Sequence, residues 1–520
     1  MKIERTKNAT RNIIFGVIQK IYTIIVPFVM RTAMIYFMGV EYLGLNSLFT
    51  SVLQVLNLAE LGVGSAMVYS MYKPIAEDDT PTICALMRLY RTYYRIIGIV
   101  IAAAGLCATP FIPKLVKGSL PPELNIYVLY LMNLGITVLS YWLFAYKNCL
   151  LGAFQRGDVG SKISMILNTV QYVAQFCVLY FLRDYYVYLI VAMATGVCGN
   201  LVTAVVVTRM YPDYRPVGKL DNTTVKGINQ RIRDLFTAKL GGTIVNSADT
   251  IVISAFIGLE MLAMYQNYYY IMSSVIGFIL VIFGACTAGI GNSLVVETEE
   301  KNYKDFKKIA LFTIWIATVC CACFVCVYQP FMTVWVGEKY LLDIWIVILI
   351  CVYFYLYVVN QLSCVYKDAA GIWHQDRFRP LIAGIVNLVF NLAFVKIWGI
   401  YAILISTIIS YIFVAMPWVI HNLFHTVFKR SPGEYVFMIL KGALTSAVDA
   451  SVCFFVCNLF RFSDRLSIIV NIIICIGISN AFLIIIYKND PIFDSMLDLL
   501  DKVSKRKLHF LISKMKNKEN

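Results

Sequence analysis

The nine residues FMGVEYLGL, at positions 37–45, recur with the same spacing as FIGLEMLAM at positions 256–264. Each copy ends one apolar stretch and begins the next, and each carries a glycine followed two residues later by a glutamate. Such self-similarity at a fixed offset indicates an internal repeat. Because an even number of apolar stretches separates the two copies, the sequence predicts two parallel halves related by an axis along the membrane normal.

The chain as a whole is unusually apolar. The 520 residues are 60% hydrophobic and 14% charged, with a mean hydropathy of +0.73, whereas a soluble domain is about half apolar and a quarter charged. A helix needs roughly 20 residues to cross the hydrocarbon layer. The sequence predicts an integral membrane protein with fourteen spans, at 12–38, 44–71, 88–112, 122–146, 161–182, 186–208, 235–257, 262–295, 306–329, 343–366, 378–397, 399–420, 436–460 and 465–487.

The basic residues are sorted to one side of these spans. Of 45 Lys and Arg, 36 fall in segments on the side of the N-terminus, and only seven fall on the opposite side. The positive-inside rule therefore predicts that both termini are cytoplasmic. The same rule accounts for the net charge of +15, so nucleic-acid binding is not needed to explain it. The polar N-terminus and the long first span do not resemble a cleaved signal peptide, and the inner or plasma membrane is the expected location.

The repeat and the loops divide the chain into five parts. We predict an all-α fold with an N-lobe at 1–208 (six spans), a cytoplasmic linker at 209–233 and a C-lobe at 234–425 (six spans). Two additional spans follow at 426–490. The tail at 491–520 is basic and places Leu497, Leu500 and Val503 at helical spacing, which favours an amphipathic helix on an anionic leaflet. The alternative is that its basic residues reflect only the cytoplasmic location of the tail.

Several spans carry polar residues along one helical face. Charged and polar groups at membrane depth usually face a bundle interior or water, so we predict a central cavity lined by these faces. The stripes are Lys20, Thr23, Pro27 and Arg31 in the first span; Asn46, Thr50, Asn57, Glu60 and Gly64 in the second; Lys239, Gly242, Asn246, Asp249, Thr250 and Ser254 in the seventh; and Gln266, Asn267, Tyr270 and Ser274 in the eighth. The residues predicted to bind substrate are Arg31, Lys20, Asn57, Lys239, Asn246 and Asn267.

Two of these charges lie at equivalent depths. By the repeat offset, Arg31 corresponds to Thr250, the residue after Asp249. We expect an ion pair between Arg31 and Asp249 that closes the outer side and loosens when an anionic substrate competes for the arginine. A permanent structural ion pair is the alternative.

Other residues are candidates for ion coupling or bending. Glu60 and Asp449 are acids within spans, and either could bind a coupling proton or sodium ion. Each could equally be a satisfied hydrogen-bonding group, which is the preferred interpretation for Asp449. Pro27, Gly62 and Gly64 are predicted hinges, because proline removes a backbone hydrogen bond and glycine removes side-chain constraint.

The sequence offers no catalytic or metal-binding pattern. The run Cys320, Cys321, Cys323 and Cys326 lies within the ninth span without a nearby His or carboxylate, so we interpret it as apolar packing rather than as a metal site. No nucleophile and base arrangement or phosphate-binding glycine loop is present. We therefore expect neither an enzyme nor a bound cofactor.

Short motifs near the N-terminus carry a family resemblance. They are Arg5-Thr6-Lys7-Asn8, the run 27–32, the hairpin 39–44, the run 58–64 (LAELGVG) and Tyr72-Lys73-Pro74. With these motifs and the fourteen-span plan, the chain resembles the polysaccharide-transporter branch of the multidrug/oligosaccharidyl-lipid/polysaccharide (MOP) exporter superfamily. The plan covers the whole chain, and the motifs cover mainly the first 80 residues.

The resemblance implies a MATE-like fold with two six-helix lobes around a cavity lined by spans one, two, seven and eight. It implies a flippase that moves a polyprenyl-diphosphate-linked oligosaccharide to the outer leaflet by alternating access, for capsule, exopolysaccharide or cell-wall synthesis. By this analogy Arg31 and Lys20 would contact the diphosphate, and spans thirteen and fourteen the polyprenyl chain. The chain departs from relatives that flip the peptidoglycan precursor, since span eight lacks a mid-membrane arginine and the lining contains two acids.

Two other functions are weighed against the flippase. A MATE-type antiporter for drugs or cations would share the fold and use Glu60 and Asp249 to bind cations. A membrane glycosyltransferase or polymerase would handle similar lipids, but it would need a larger loop or domain for chemistry than this chain has. The partners expected for a flippase are the lipid-linked glycan, membrane lipids, and the polymerase and glycosyltransferases of the same pathway, with no nucleic acid.

Overall fold

The computed structural model of this chain describes residues 5–117, 120–459 and 463–503, and these residues form helices and turns with no strand among them. Eighteen α-helices occur in the described part. They are α1 Arg5–Phe37, α2 Val40–Leu56, α3 Val63–Ala76, α4 Thr80–Ala108, α5 Ile126–Trp142, α6 Asn148–Ala153, α7 Gly157–Cys177, α8 Tyr185–Met210, α9 Asn222–Phe256, α10 Leu259–Val296, α11 Glu299–Val336, α12 Ile344–Ala369, α13 Arg379–Trp398, α14 Ile400–Ser410, α15 Met416–Leu423, α16 Gly433–Leu459, α17 Asp464–Tyr487 and α18 Pro491–Val503.

The number of membrane spans agrees closely with the sequence. Within the described residues, twelve helical stretches are long and apolar enough to cross a membrane, or thirteen if the pair of helices bent by 48° at α5 and α6 is one span. The predicted seventh span lies in α9, a 35-residue helix that carries the polar stripe with Lys239 and Asp249. The predicted all-α membrane fold is confirmed.

The chain forms two compact units, unit 1 at Met1–Ala263 and unit 2 at Met264–Asn520. Unit 1 therefore extends past the predicted end of the N-lobe at residue 208 and contains the whole of α9. The reason is that α9 packs along α2 and α3. Of the predicted linker 209–233, the residues from Asn222 onward already belong to α9.

The two copies of the repeat form matching turns. Gly39 has φ 116° and Gly258 has φ 138°, values that strongly favour glycine over a residue with a Cβ. Each glycine separates one long helix from the next, α1 from α2 and α9 from α10. Sequence similarity at these positions thus reflects the same backbone requirement at two hairpins.

The two hairpins approach each other within unit 1. A Cβ added at Gly44 would lie 2.5 Å from the carbonyl oxygen of Leu259 and 3.2 Å from its Cα. Only a residue without a side chain allows the backbone of α2 to come this close to the start of α10.

Unit 2 is built around α11. This helix packs against α12, α16, α17 and α18, and 15 of its residues are buried. Helix α18 lies on this core, since Phe493, Met496 and Leu497 are all buried against Leu311 and Tyr487. Trp315 stacks on Phe493 with ring centroids 5.6 Å apart.

The position of α18 differs from the sequence expectation. Its apolar face packs on α11 and α17 of the protein itself, and buried Leu497 is one of the residues expected to face lipid. Large aromatic side chains of α11 and α17 pack against this face, so it contacts the protein rather than the membrane surface. The remainder of the predicted amphipathic tail, 504–520, lies outside the described residues.

The contact at Gly44 can be tested by adding one methyl group. We expect Gly44→Ala to lower the free energy of unfolding by about 1–3 kcal/mol, the usual cost of overpacking, because the opposing atoms are backbone and cannot rotate away. Gly135→Ala is the matched control, since nothing lies within 4 Å of its added Cβ, and it should be neutral or stabilising. Thermal unfolding of both variants in detergent would measure this, and equal melting temperatures would contradict the contact.

Candidate substrate-translocation site

A polar seam runs through unit 1 where α9 meets α2 and α3. The Ser247 hydroxyl donates to Gln54 Oε1 over 3.2 Å, and Lys239 Nζ lies 3.4 Å from Ser65 Oγ. Gln54, Ser65 and Lys239 are exposed, and each lies within a stretch that the sequence predicts to be a membrane span. Because lipid cannot solvate such groups, exposed polar side chains here indicate a water-accessible surface. We call these four residues the polar seam.

The predicted substrate-binding residues fall in both units. Lys239 belongs to the polar seam, Lys20 and Arg31 are partly buried in α1 of unit 1, and Asn267 is buried at 1% exposure in α10 of unit 2. Asn246 lies on α9, and its side chain is outside the described residues. Their roles as substrate ligands stay predictions.

The predicted pair of Arg31 and Asp249 also lies within unit 1. Both residues are partly buried, and both have interaction partners in the structure. Whether they pair with each other, and whether a substrate displaces that pairing, stays a prediction.

The second predicted span is broken at the depth of its polar residues. Helix α2 ends at Leu56, residues Asn57–Glu60 form one turn of 3-10 helix, and α3 begins at Val63. Gly62 closes the break with φ 89° in the left-handed region, and a Cβ there would lie 2.6 Å from Leu235 Cβ on α9. The predicted hinge at Gly62 thus coincides with an interruption of the helix, whereas α1 continues without interruption through Pro27.

A side-chain acceptor at the start of this turn is left without a partner. Asn57 Oδ1 is buried and has no hydrogen-bond partner among the described residues. An unsatisfied buried acceptor is costly, so this position is suited to a donor from a ligand or a bound water. That Asn57 contacts substrate stays a prediction.

Glu60, at the end of the same turn, accepts hydrogen bonds from two tyrosines, and a third tyrosine bonds one of these. Its Oε1 accepts a hydrogen bond of 2.9 Å from Tyr94, and its Oε2 accepts one of 2.8 Å from Tyr141. Tyr90 donates to the Tyr94 hydroxyl over 2.6 Å, and all three rings are buried. We call these four residues the Glu60 cluster. In the structure Glu60 is thus a satisfied hydrogen-bond acceptor, one of the two roles that the sequence left open, and its role in ion coupling stays a prediction.

A second acid in unit 1 was not singled out from the sequence. Asp158, at the start of α7, is fully buried and pairs with Arg11 of α1 at 2.9 Å, with Arg156 at 2.9 Å and with Lys162 at 3.6 Å. These contacts fasten the start of α1 to the start of α7, on the side of the basic loops. The motif RGD at 156–158 was the available signal, but its partner Arg11 is distant in sequence.

Unit 2 contains a buried polar cluster of its own on α13 and α14. Asn387 donates to Thr407 Oγ1 over 2.9 Å and accepts from Asn391 over 3.2 Å, and Ser406 donates to Asn391 Oδ1. All four residues are buried. The sequence analysis missed them because amides and hydroxyls on neighbouring helices leave no recognisable spacing.

Asp449, the third predicted coupling acid, lies in α16 of unit 2. It is fully buried, its Oδ1 is 3.9 Å from Cys453 Sγ, and its Oδ2 has no hydrogen-bond partner among the described residues. The carboxyl therefore faces a cluster of thiols rather than a cation.

An apolar groove of about 810 Å³ is the other large feature of unit 2. It is lined by α11, α12, α16 and the helical stretch containing α14 and α15, and α17 contributes none of the lining residues. The lining residues of α16 lie along one face of this helix, from Val436 to Phe454. This distance is about 27 Å at a rise of 1.5 Å per residue. This length approaches the roughly 30 Å of the hydrocarbon layer. Small residues at Ala443, Ala447 and Ala450 make the wall concave.

Comparisons with known proteins agree with this architecture. No protein family and no curated protein matches the chain in sequence. Among solved structures, the lipid II flippase MurJ in its inward closed conformation is similar, with a TM-score of 0.64 and 14% identity, covering 92% of this chain and 99% of that one.

Transporters of the same superfamily are similar as well. An outward-facing MATE family transporter matches with a TM-score of 0.52 and 16% identity over 81% of this chain and 97% of its own. A MOP superfamily transporter from Pyrococcus furiosus matches with a TM-score of 0.51 and 14% identity over 81% and 96%. The chain therefore has the fold of the MOP superfamily, and the resemblance drawn from its motifs is confirmed at the level of the fold.

The hydrogen bonds of the Glu60 cluster yield a stability prediction. We expect Tyr141→Phe to lower the free energy of unfolding by about 1 kcal/mol, the typical net value of one hydrogen bond. Glu60→Ala should cost more, since it leaves two buried hydroxyl groups without their acceptor. Tyr127→Phe is the control, because Tyr127 is 44% exposed. Thermal unfolding in detergent would rank the three variants, and a control as destabilised as Tyr141→Phe would argue against the cluster.

Proposed function

We propose that this protein is a flippase that moves a polyprenyl-diphosphate-linked oligosaccharide from the inner to the outer leaflet, by alternating access. The observation that carries the proposal is the apolar groove of unit 2. A diphosphate sugar cannot enter hydrocarbon without losing its hydration, which is prohibitively costly. Its isoprenoid tail can remain in an apolar environment. A transporter of such a lipid therefore needs a hydrated path for the headgroup and an apolar path for the tail.

Both paths have structural support. The polar seam and the buried Asn57 acceptor in unit 1 offer hydrogen bonds to a sugar headgroup, and Arg31 and Lys20 supply positive charge for the diphosphate. The groove of unit 2 follows α16 for nearly the thickness of the bilayer. The family resemblance assigned the tail to spans thirteen and fourteen; we assign it to the groove lined by α11, α12, Ile412, α15 and α16, since α17 does not contribute to it.

The biological setting follows from the same proposal. The protein would reside in the inner or plasma membrane with both ends in the cytoplasm, because the basic loops lie on that side. It would receive its substrate from membrane-associated glycosyltransferases and deliver it to a polymerase of capsule, exopolysaccharide or cell-wall synthesis.

A MATE-type antiporter of cations or drugs is the second candidate. It is favoured by the acids Glu60 and Asp249 in unit 1 and by the similarity to an outward-facing MATE family transporter. In such an antiporter the acids would exchange protons or sodium for the cationic substrate. A groove of membrane depth would have no part in that reaction, and for this reason we favour the flippase.

Reconstitution separates the two candidates. The purified protein in vesicles containing a fluorescent isoprenoid-linked diphosphate oligosaccharide should move it between leaflets, as measured by quenching from the outside. A cationic dye loaded into identical vesicles under a proton gradient should not be exported. Dye export without glycolipid movement would establish the antiporter instead.

The groove can be filled without disturbing the helix that forms it. We expect Ala447→Trp to reduce glycolipid translocation by about tenfold or more, a loss that corresponds to about 1.4 kcal/mol of tail contacts. Val448→Trp is the matched control, because Val448 is exposed on the same helix and does not line the groove. Equal translocation by the two variants would show that the tail does not use this groove.

The charge on Arg31 yields a separate prediction. Removing a charged hydrogen-bond donor to a diphosphate costs about 1.5–3 kcal/mol, so Arg31→Ala should weaken apparent affinity for the glycolipid by about 10- to 100-fold. Arg31→Lys keeps the charge and should retain part of the affinity. Unchanged transport by Arg31→Ala together with lowered thermal stability would assign the residue a purely structural role.

A further inference from the structure

Three thiols from three helices of unit 2 meet in the protein interior. They belong to Cys326 of α11, Cys457 of α16 and Cys475 of α17, and their Sγ atoms all lie within 4.8 Å of one another. Their residues are 5%, 7% and 0% exposed. All three are free thiols, so no disulfide accounts for their proximity.

More sulfur surrounds these three residues. Cys453, fully buried one helical turn before Cys457, belongs to the same cluster, and Cys323 packs against it. The Sγ of Cys475 is 3.7 Å from the carbonyl oxygen of Ala322. Five sulfur atoms and one carbonyl oxygen therefore gather in one small region, surrounded by aliphatic side chains and by the buried hydroxyl group of Ser479, 3.7 Å from Cys453 Sγ.

A buried carboxyl group adjoins the cluster as an independent feature. Asp449 contacts the Sγ of Cys453 through Oδ1, and its Oδ2 has no hydrogen-bond partner among the described residues. Apolar packing alone would explain buried cysteines, but it does not explain an unsatisfied carboxyl oxygen beside them.

We propose that Cys326, Cys457 and Cys475 form a binding site for one thiophilic divalent d¹⁰ metal ion of the zinc class. Thiol ligands favour soft or borderline ions over Mg²⁺ and Ca²⁺. With metal–sulfur bonds of about 2.3 Å, sulfur atoms on one ion lie about 4 Å apart, so the observed separations need only a small contraction.

A divalent ion can be bound at this site without net charge. Binding breaks two S–H bonds and forms two metal–thiolate bonds, and the two protons leave to the solvent, so a divalent ion with two thiolates and one neutral thiol carries no net charge. Three thiolates on the same ion would leave an uncompensated negative charge in an apolar interior, which is costly. No electron transfer is involved.

The site would fasten three helices together. Cys457 and Cys475 connect α16 and α17 to each other, and Cys326 connects both to α11, the central helix of unit 2. Because the groove is lined by another part of α16, a metal ion at this position would also fix the wall of the groove.

The direct test uses the full-length protein without an affinity tag, purified in detergent under reducing conditions and freed of metal. Added Cd²⁺ should give thiolate-to-metal charge-transfer absorption that saturates at one ion per chain, and Cd²⁺ added to the Zn²⁺-loaded protein should release one Zn²⁺ per chain, because the softer ion binds thiolates more tightly. Zn²⁺ should also raise the thermal unfolding temperature. Absence of the band in the wild-type protein would overturn the proposal, and this reading does not depend on any variant folding.

Variants assign the ligands. The single substitution Cys457→Ser and the triple substitution of Cys326, Cys457 and Cys475 by Ser should lose the band and the thermal effect of Zn²⁺. The matched control replaces Cys107, Cys177 and Cys198, which are exposed, by Ser and should keep both. Loss in the control with retention in Cys457→Ser would place the metal elsewhere and reject this site.

Discussion

A polar side chain within a membrane-spanning helix must find a protein partner or water, because lipid offers neither. This constraint determines where the helices of this protein touch. Asp158 draws α1 and α7 together through Arg11, and Glu60 draws the second span to α4 and α5 through Tyr94 and Tyr141. The apolar surface of a helix packs against lipid about as well as against another helix. These few polar contacts therefore specify which helices pack together.

Interruptions of the helices obey the same rule. The turn Asn57–Glu60 leaves backbone and side-chain groups that an intact helix would satisfy, and it occurs where α9 and the tyrosines of α4 and α5 surround it. The left-handed Gly62 then lets α3 begin in direct contact with α9. A break of this kind is tolerated at membrane depth only inside protein or beside water. It therefore marks the part of unit 1 that is suited to hold a ligand.

Much of the fold could be predicted from hydropathy and the repeat, since long apolar runs and a glycine turn are local properties of a sequence. The stripes in the second and seventh spans lie on α2 and α9, two helices that pack together. What could not be predicted was the partner of each polar residue. Nothing near Glu60 in sequence indicates Tyr141, and nothing near Cys326 indicates Cys457 and Cys475, because such contacts depend on how helices far apart in the chain are arranged. The docking of α18 was missed for the same reason, as its apolar face fits either lipid or Trp315.

The backbone contact between Gly44 and Leu259 has an evolutionary consequence. Leu259 contributes only its main-chain atoms at the shortest separations, and every amino acid possesses those atoms. One of the two positions is therefore restricted to the smallest residue, while the other accepts many side chains without altering the joint. Residues at such a joint can therefore change widely at one position while the path of the backbone stays the same.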